Sequence, residues 1–171
     1  YSHFGAYSKK DIVPRGFNPE RAKEYFAKAG FRTLNTNGYL QNSNSKELVI
    51  KLSNPADFRK QDFMILIEQA KKAGLRIAYQ TVDFSLAPGL VKSREYDAIV
   101  FAYPAGREPN FKTHFYSTHV DKNSDLTAAN FSSSELDKLI DQFDASTHNQ
   151  ERIRLAHKIQ KIIYDQAVYV P

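Results

Sequence analysis

An alternation of strand and helix patterns in the middle of the chain constrains the fold most. Strand-like apolar runs alternate with helical periodicity in the order 47–52, 57–73, 75–82, 84–93 and 97–101. Strands separated by helices predict a sheet with parallel pairs that helices cover. The 22 or so residues between the first two strands allow a right-handed crossover, which needs about a dozen. The expected fold class is therefore α/β.

Helical patterns flank this region on both sides. Asn18 is a suitable N-cap, Pro19 suits the first helical position, and Gly30 suits the C-terminal cap. In the last third, Leu136, Leu139, Ile140 and Phe143 recur at helical spacing, and residues 149–167 predict a further amphipathic helix. An Asn37-Gly38 pair predicts a turn.

The chain is expected to contain one α/β domain. Residues 1–17 contain glycine and proline without any period and predict an irregular lead-in, so the domain spans 18–171. The chain starts without methionine and ends in the apolar segment VYVP. We therefore expect it to be a fragment of a longer polypeptide.

Composition and motifs exclude several functions. The absence of cysteine excludes disulfides, thiol catalysis and cysteine zinc sites. No G-x-G-x-x-G or P-loop motif supports nucleotide binding, and no cofactor is expected. The net charge of +5 is spread along the chain and mixed with acidic residues. Nucleic-acid binding needs basic clustering, so it is not predicted.

Two histidines leave an enzymatic alternative open. His114 and His119 are five residues apart, which fits neither one helical face nor a standard zinc spacing, so no metal site is predicted. The sequence also lacks a G-x-S-x-G nucleophile motif, and no catalytic residue is assigned. A small hydrolase using either histidine remains the alternative from a different functional class.

The loop 103–111 is the best candidate for a binding site. It follows the apolar strand 97–101, and ligands of open α/β sheets bind outside the carboxyl ends of the strands. Aromatic rings beside a few polar groups suit a small organic ligand or a peptide. A plain connecting loop is the alternative. The predicted ligand-binding residues are Tyr103, Arg107, Glu108, Asn110 and Phe111.

Five segments that cover most of the chain carry a family resemblance. They are FNPERAKEYFAKAGF, NGYLQNSNSKELVIKL, FMILIEQAKKAGLRIAYQTVD, REYDAIVFAYPAG and SSSELDKLIDQFDASTHNQERIRLAHKIQKIIYDQAVYVP. In this order they resemble the second lobe of bacterial extracellular solute-binding proteins of family 5. These proteins are the dipeptide-, oligopeptide- and nickel-binding components of ABC importers. Each segment is weak evidence alone, and their order carries the resemblance.

The resemblance implies one lobe of a type II periplasmic-binding-protein-like fold, with a mixed sheet flanked by helices. It implies a missing N-terminal lobe of the same chain, hinges near both chain ends and capture of an oligopeptide by closure of the lobes. The expected partners are a peptide or another small solute and the membrane permease of an ABC importer. The expected protein is a monomer in the periplasm, or attached to the surface of a Gram-positive cell, without enzymatic activity. A sugar or a metal complex is the alternative ligand within the family.

The 103–111 loop departs from the family pattern. Many peptide-binding members carry acidic residues and an Asp-Pro pair after this strand, and an Asp there can pair with the amino group of the peptide. Here Glu108-Pro109 stands near that place. The resemblance leads to two hypotheses: Glu108 accepts the peptide ammonium, and Arg107 binds a carboxylate through its guanidinium fork.

Overall fold

The computed structural model describes residues 4–101, 106, 108–120 and 129–169. The described strands are β1 Thr33–Leu34, β2 Leu40–Gln41, β3 Val49–Pro55, β4 Arg76–Val82 and β5 Ala98–Ile99. The helices are α1 Pro19–Lys28, α2 Lys60–Lys72, α3 Ala87–Ser93, α4 Phe111–Phe115, α5 Ser134–Ala145 and α6 Asn149–Asp165. Short 3-10 helices occupy Gly5–Tyr7, Phe84–Leu86 and Ser117–His119. The expected α/β class is confirmed.

The chain divides into two compact units. The sheet unit comprises Gly16–Leu90 and Arg94–Phe101, and the helical unit comprises Tyr1–Arg15, Val91–Ser93 and Ala102–Pro171. The sequence predicted a boundary after residue 17, between an irregular lead-in and a single domain. Residues 4–15 belong to the same compact unit as the C-terminal helices, and the single domain over 18–171 stays a prediction.

The sheet unit contains a three-stranded sheet in the order β4-β3-β5. Both pairings in this sheet are parallel, as the βαβ pattern predicts. Antiparallel pairing occurs in the separate β1-β2 ladder, where Gly38 of the predicted turn has φ +81°. Among the described residues, parallel and antiparallel strands therefore lie in different sheets.

Gly74 ends α2 where the chain passes closely under β2. Its φ is +77°, and an added Cβ would lie 2.7 Å from Cγ of Leu40. The carbonyl oxygen of Gly74 also accepts a hydrogen bond of 2.7 Å from the backbone N–H of Leu40. Gly74 therefore meets two requirements at once, a left-handed backbone and a close approach of two segments.

We expect Gly74→Ala to destabilise the sheet unit more than Gly30→Ala. Gly30 ends α1 with φ +94°, but an added Cβ there meets no atom within 4 Å. Gly30→Ala should cost the backbone penalty alone, about 1–2 kcal/mol. Gly74→Ala adds overpacking of about 1–3 kcal/mol. Urea denaturation measures both variants, and equal losses would show that the contact with Leu40 relaxes freely.

The helical unit has a core in which α4, α5 and α6 contribute the buried side chains. The buried set is Phe111, Phe115, Leu136, Ile140, Phe143, Leu155, Ala156, Ile159 and Ile163. Ser133 caps α5 by accepting a hydrogen bond from the backbone N–H of Leu136. Leu136, Ile140 and Phe143 of the predicted stripe are buried in this core, and the amphipathic helix predicted over 149–167 is found as α6.

The N-terminal segment, residues 4–15, packs along α6. Gln160 is fully buried; its Oε1 accepts from the backbone N–H of Lys9 at 3.1 Å, and its Nε2 donates to the carbonyl of Tyr7 at 2.6 Å. His157 lies 3.0 Å from the carbonyl oxygen of Ala6. Arg15 stacks on the ring of Tyr164 and donates to that residue's carbonyl. Residues 6–15 are therefore held in place by α6.

Candidate functional site

The described part of the 103–111 loop is attached to the helical unit. Tyr103 and Arg107 lie outside the described residues, so their predicted roles stay predictions. Glu108, Asn110 and Phe111 are described, and each has a contact that fixes its position. The described part of the predicted site, residues 108–111, is therefore held by contacts within the helical unit.

Glu108 forms an ion pair within the helical unit. Its Oε2 lies 2.6 Å from Nη2 of Arg152, and its Oε1 lies 3.2 Å from the hydroxyl of Tyr7. The Glu108 side chain is 51% exposed and that of Arg152 is 19% exposed. The carboxylate predicted to accept a ligand ammonium is thus already paired with a guanidinium.

Arg152 is itself fixed by the junction of α5 and α6. Its Nη1 donates to the carbonyl oxygens of Phe143 at 2.8 Å and Ser146 at 3.2 Å. Its guanidinium lies over the ring of Phe143, 4.2 Å from the centroid. Burial lowers the pKa of Arg152, but contacts with Tyr7 and Glu108 raise it more, so the pKa lies above its ordinary value. The guanidinium is therefore fixed in place, and its Nη2 is the nitrogen that pairs with the Glu108 carboxylate.

Asn110 and Phe111 begin α4. The Oδ1 of Asn110 accepts from the backbone N–H of Thr113 at 3.1 Å, which is an N-cap hydrogen bond. Phe111 is 1% exposed and packs edge-on against Phe143, with the ring centroids 5.3 Å apart. In this structure Asn110 is a cap and Phe111 a core residue. Direct contact of either one with a ligand stays a prediction.

Sequence reasoning missed Tyr7 and Arg152. Tyr7 lies in a segment without a period, and Arg152 occurs in the first turns of an amphipathic helix, where arginine usually faces solvent. The pairs they form with Glu108 join residues 101 and 44 positions apart. No local pattern signals such a pair.

A second feature lies in the sheet unit, where β3 and β4 end at the same level. Pro55 pairs with Val82, and both strands are followed within three residues by a phenylalanine. Phe58 is 61% exposed and Phe84 is 73% exposed. Exposed rings at the carboxyl ends of parallel strands stand where ligands of open α/β sheets bind. The signal in the sequence was an apolar residue just beyond each strand.

The connection from β3 to α2 has an unusual backbone. Ala56, Asp57 and Arg59 have φ of +56°, +53° and +49°, a region that costs non-glycine residues about 1–3 kcal/mol each. Asp57 compensates by accepting hydrogen bonds from Thr81 and Tyr79. The bond from Thr81, followed by that from Lys60, lowers the pKa of Asp57. The carboxylate therefore stays ionised and holds this turn against β4.

Asn54 completes the support beneath Phe58. Its side chain is fully buried, and its Nδ2 donates to the carbonyl of Phe58 at 2.8 Å and to the hydroxyl of Tyr79 at 2.9 Å. That hydroxyl can then donate its single proton to Asp57, which is 3.1 Å away. The hydrogen bonds that link Asn54, Tyr79 and Asp57 fix the backbone at Phe58.

The two histidines lie in the helical unit. His114 is in α4, and Nδ1 of His119 lies 3.1 Å from the carbonyl oxygen of Thr113. Because a carbonyl only accepts, Nδ1 of His119 carries the proton. Within residues 4–101, 106, 108–120 and 129–169, no group of three His, Cys, Asp or Glu side chains is arranged to hold a metal ion. None of the helices described there is long and apolar enough to span a membrane.

Known proteins resemble this chain over almost its whole length. It is 27% identical over 168 residues to the oligopeptide-binding protein AppA of Bacillus subtilis, covering 94% of this chain and 30% of AppA. It is 28% identical over 164 residues to heme-binding protein A of Haemophilus influenzae, covering 94% of this chain and 28% of that protein. The chain therefore spans less than a third of the length of these relatives.

The fold is also found among solved structures. The structure of AppA from Bacillus subtilis in complex with a nonapeptide matches with a TM-score of 0.82 and 22% identity, covering 96% of this chain and 33% of that one. The model of bacterial extracellular solute-binding proteins, family 5 Middle, matches residues 1–124. The resemblance carried by the sequence motifs is thereby confirmed, and the chain belongs to the bacterial extracellular solute-binding proteins of family 5.

Proposed function

We propose that this chain is one lobe of a two-lobe protein that binds oligopeptides and delivers them to the permease of an ABC importer. The observation that carries the proposal is the family match over residues 1–124, together with a relative named for oligopeptide binding. The lobe binds and releases its ligand and does not catalyse a reaction. The protein acts as a monomer outside the cytoplasm, in the periplasm or on the surface of a Gram-positive cell.

Each unit has residues that we propose as ligand contacts. In the helical unit, the 103–111 loop contributes Tyr103, Arg107 and Asn110 as ligand contacts, and Phe111 supports the loop from the core. In the sheet unit, Phe58 and Phe84 offer apolar surface at the carboxyl ends of β3 and β4. Rings exposed at that position suit the side chains of a peptide.

The second candidate is a metal complex as the ligand of the same fold. The observation that favours it is the heme-binding relative from Haemophilus influenzae, which is as similar in sequence as AppA. A large planar ligand would also use exposed phenylalanine rings. Ligand identity therefore needs a direct measurement.

Native mass spectrometry on the full-length polypeptide that contains this chain, purified without refolding, tests the function. We expect a bound mass that fragments as short peptides. A bound heme or other metal complex would overturn the peptide assignment in favour of the second candidate. A protein that stays empty and gains no mass from a mixed pentapeptide pool or from added heme would overturn both.

Phe84→Ala tests the sheet unit's contribution in the same polypeptide. We expect peptide affinity to fall by about 10- to 100-fold, because burying a phenylalanine against a ligand stabilises by ~1.5–3 kcal/mol. Phe17→Ala is the matched control, since Phe17 is 67% exposed, close to the 73% of Phe84, but precedes α1. Calorimetric titration measures both, and equal affinities for the two variants would remove Phe84 from the site.

A further inference from the structure

Two side chains, those of Arg152 and Tyr7, contact the carboxylate of Glu108. Arg152 pairs with its Oε2 at 2.6 Å, and the hydroxyl of Tyr7 lies 3.2 Å from its Oε1. Tyr7 in turn packs edge-on against Phe143, with the ring centroids 6.1 Å apart. Glu108 therefore connects the end of the 103–111 loop to α6 and to the N-terminal segment.

The charge balance opposes direct binding of an ammonium by Glu108. A carboxylate 2.6 Å from a guanidinium is already neutralised, and the pair is a strong charge-assisted contact. A peptide ammonium would have to displace Arg152, whose guanidinium is also held by two carbonyl oxygens and the ring of Phe143. The ammonium would meet a local charge near zero.

The hydroxyl of Tyr7 has a choice of acceptors. It lies 3.0 Å from Oδ1 of Asn149 and 3.2 Å from Oε1 of Glu108, and its single proton can serve only one of them at a time. Asn149 begins α6, so either choice attaches the N-terminal segment to the same corner of the helical unit. Whichever acceptor it uses, the Tyr7 hydroxyl therefore holds the N-terminal segment in place.

We infer that Glu108 is a positioning residue that anchors the ligand-binding loop to Arg152 and Tyr7, and that it does not accept the amino group of the peptide. The inference rests on the proposed function, because it assumes that the 103–111 loop contacts the ligand. It replaces the hypothesis, drawn from the sequence, that Glu108 takes the ammonium. The ion pair then fixes the backbone at Glu108, and ligand contact is left to other residues of the loop.

Peptide affinity for two forms of one probe distinguishes the roles. The probe is an equimolar pool of pentapeptides, with free amino termini or N-acetylated, titrated against the full-length polypeptide. A positioning role predicts that Glu108→Gln weakens binding of both forms by the same factor, about tenfold for a lost charge-assisted contact. A direct role predicts a loss confined to the free-amine pool, which would overturn the inference.

Arg152→Gln and Tyr7→Phe extend the test. Arg152→Gln should weaken binding of both pools, and the double variant with Glu108→Gln should be no weaker than the worse single variant, because the two act as a unit. Since Arg152 also supports the α5–α6 junction, Tyr7→Phe provides a milder variant. It keeps the ring packing on Phe143 and removes only the hydroxyl, and its loss should be about two- to fivefold and equal for both pools.

Hydrogen–deuterium exchange separates failure of the inference from failure of the proposed function. We expect faster amide exchange in peptic fragments that cover residues 106–111 of the Glu108→Gln and Tyr7→Phe variants, with or without peptide. Unchanged exchange in both variants would overturn the anchoring role. A wild-type polypeptide that binds neither pool would overturn the proposed function, while the exchange data still decide whether Glu108 anchors the loop.

Discussion

Phe143→Ala is expected to destabilise the helical unit by about 3–5 kcal/mol, the range for removing a buried aromatic ring. Phe143 is 2% exposed and has Phe111 on one side and Tyr7 on another. Its ring also supports the Arg152 guanidinium. The substitution therefore leaves a cavity and loosens the residue that pairs with Glu108. Urea denaturation followed by circular dichroism measures the loss.

Phe84→Ala is the matched control for this prediction. The same atoms are removed from a ring that is 73% exposed, so the free energy of unfolding should change by no more than about 0.5 kcal/mol. A loss below about 1.5 kcal/mol for Phe143→Ala would mean that the neighbouring rings collapse into the space, and Phe143 would no longer count as the centre of the core.

Gln160→Leu is expected to cost about 2–4 kcal/mol and to release the N-terminal segment. Leucine fills nearly the same volume but can neither accept from the N–H of Lys9 nor donate to the carbonyl of Tyr7. Each backbone group left without a partner costs about 1–3 kcal/mol where it is buried. Limited trypsin digestion reports the release, because the variant should be cut first after Lys9 and Lys10.

Gln150→Leu tests whether the effect comes from the lost hydrogen bonds. Gln150 lies on the exposed side of the first turn of α6, so its replacement changes helix propensity and hydrophobicity in the same way without breaking a buried contact. Its stability and tryptic pattern should match the wild type. Similar early cleavage in both variants would show that the segment detaches without help from Gln160.

Local signals predicted the fold well where the sequence contains both caps and periodicity. Asn18 accepts the expected cap hydrogen bond from Arg21, and α1 begins at Pro19. The strand predicted at 97–101 is shorter, since only Ala98 and Ile99 pair with β3. Neighbouring strands decide the length of a ladder, and an apolar run alone does not reveal how far its partner extends.

The candidate site was predictable in part. The loop was found because it follows an apolar strand, and Asn110 could have been recognised as a cap of the short helix with Phe111 and Phe115 at spacing four. The pairing of Glu108 with Arg152 could not be predicted from the sequence, because only the tertiary fold brings the two residues together. A lone glutamate in a loop has the same local sequence whether it binds a ligand or an arginine.

The attachment of the N-terminal segment to α6 has a consequence for the order of folding. Ala6, Lys9 and Arg15 find their partners in His157, Gln160 and Tyr164, about 150 positions later. Contacts of such high separation form late, since loop closure must precede them. The strand pairs of the sheet unit join residues much nearer to each other in sequence, so this unit can fold before the docking occurs. Residues 4–15 can dock only once α6 has formed, so their contacts report a late step in the folding of the helical unit.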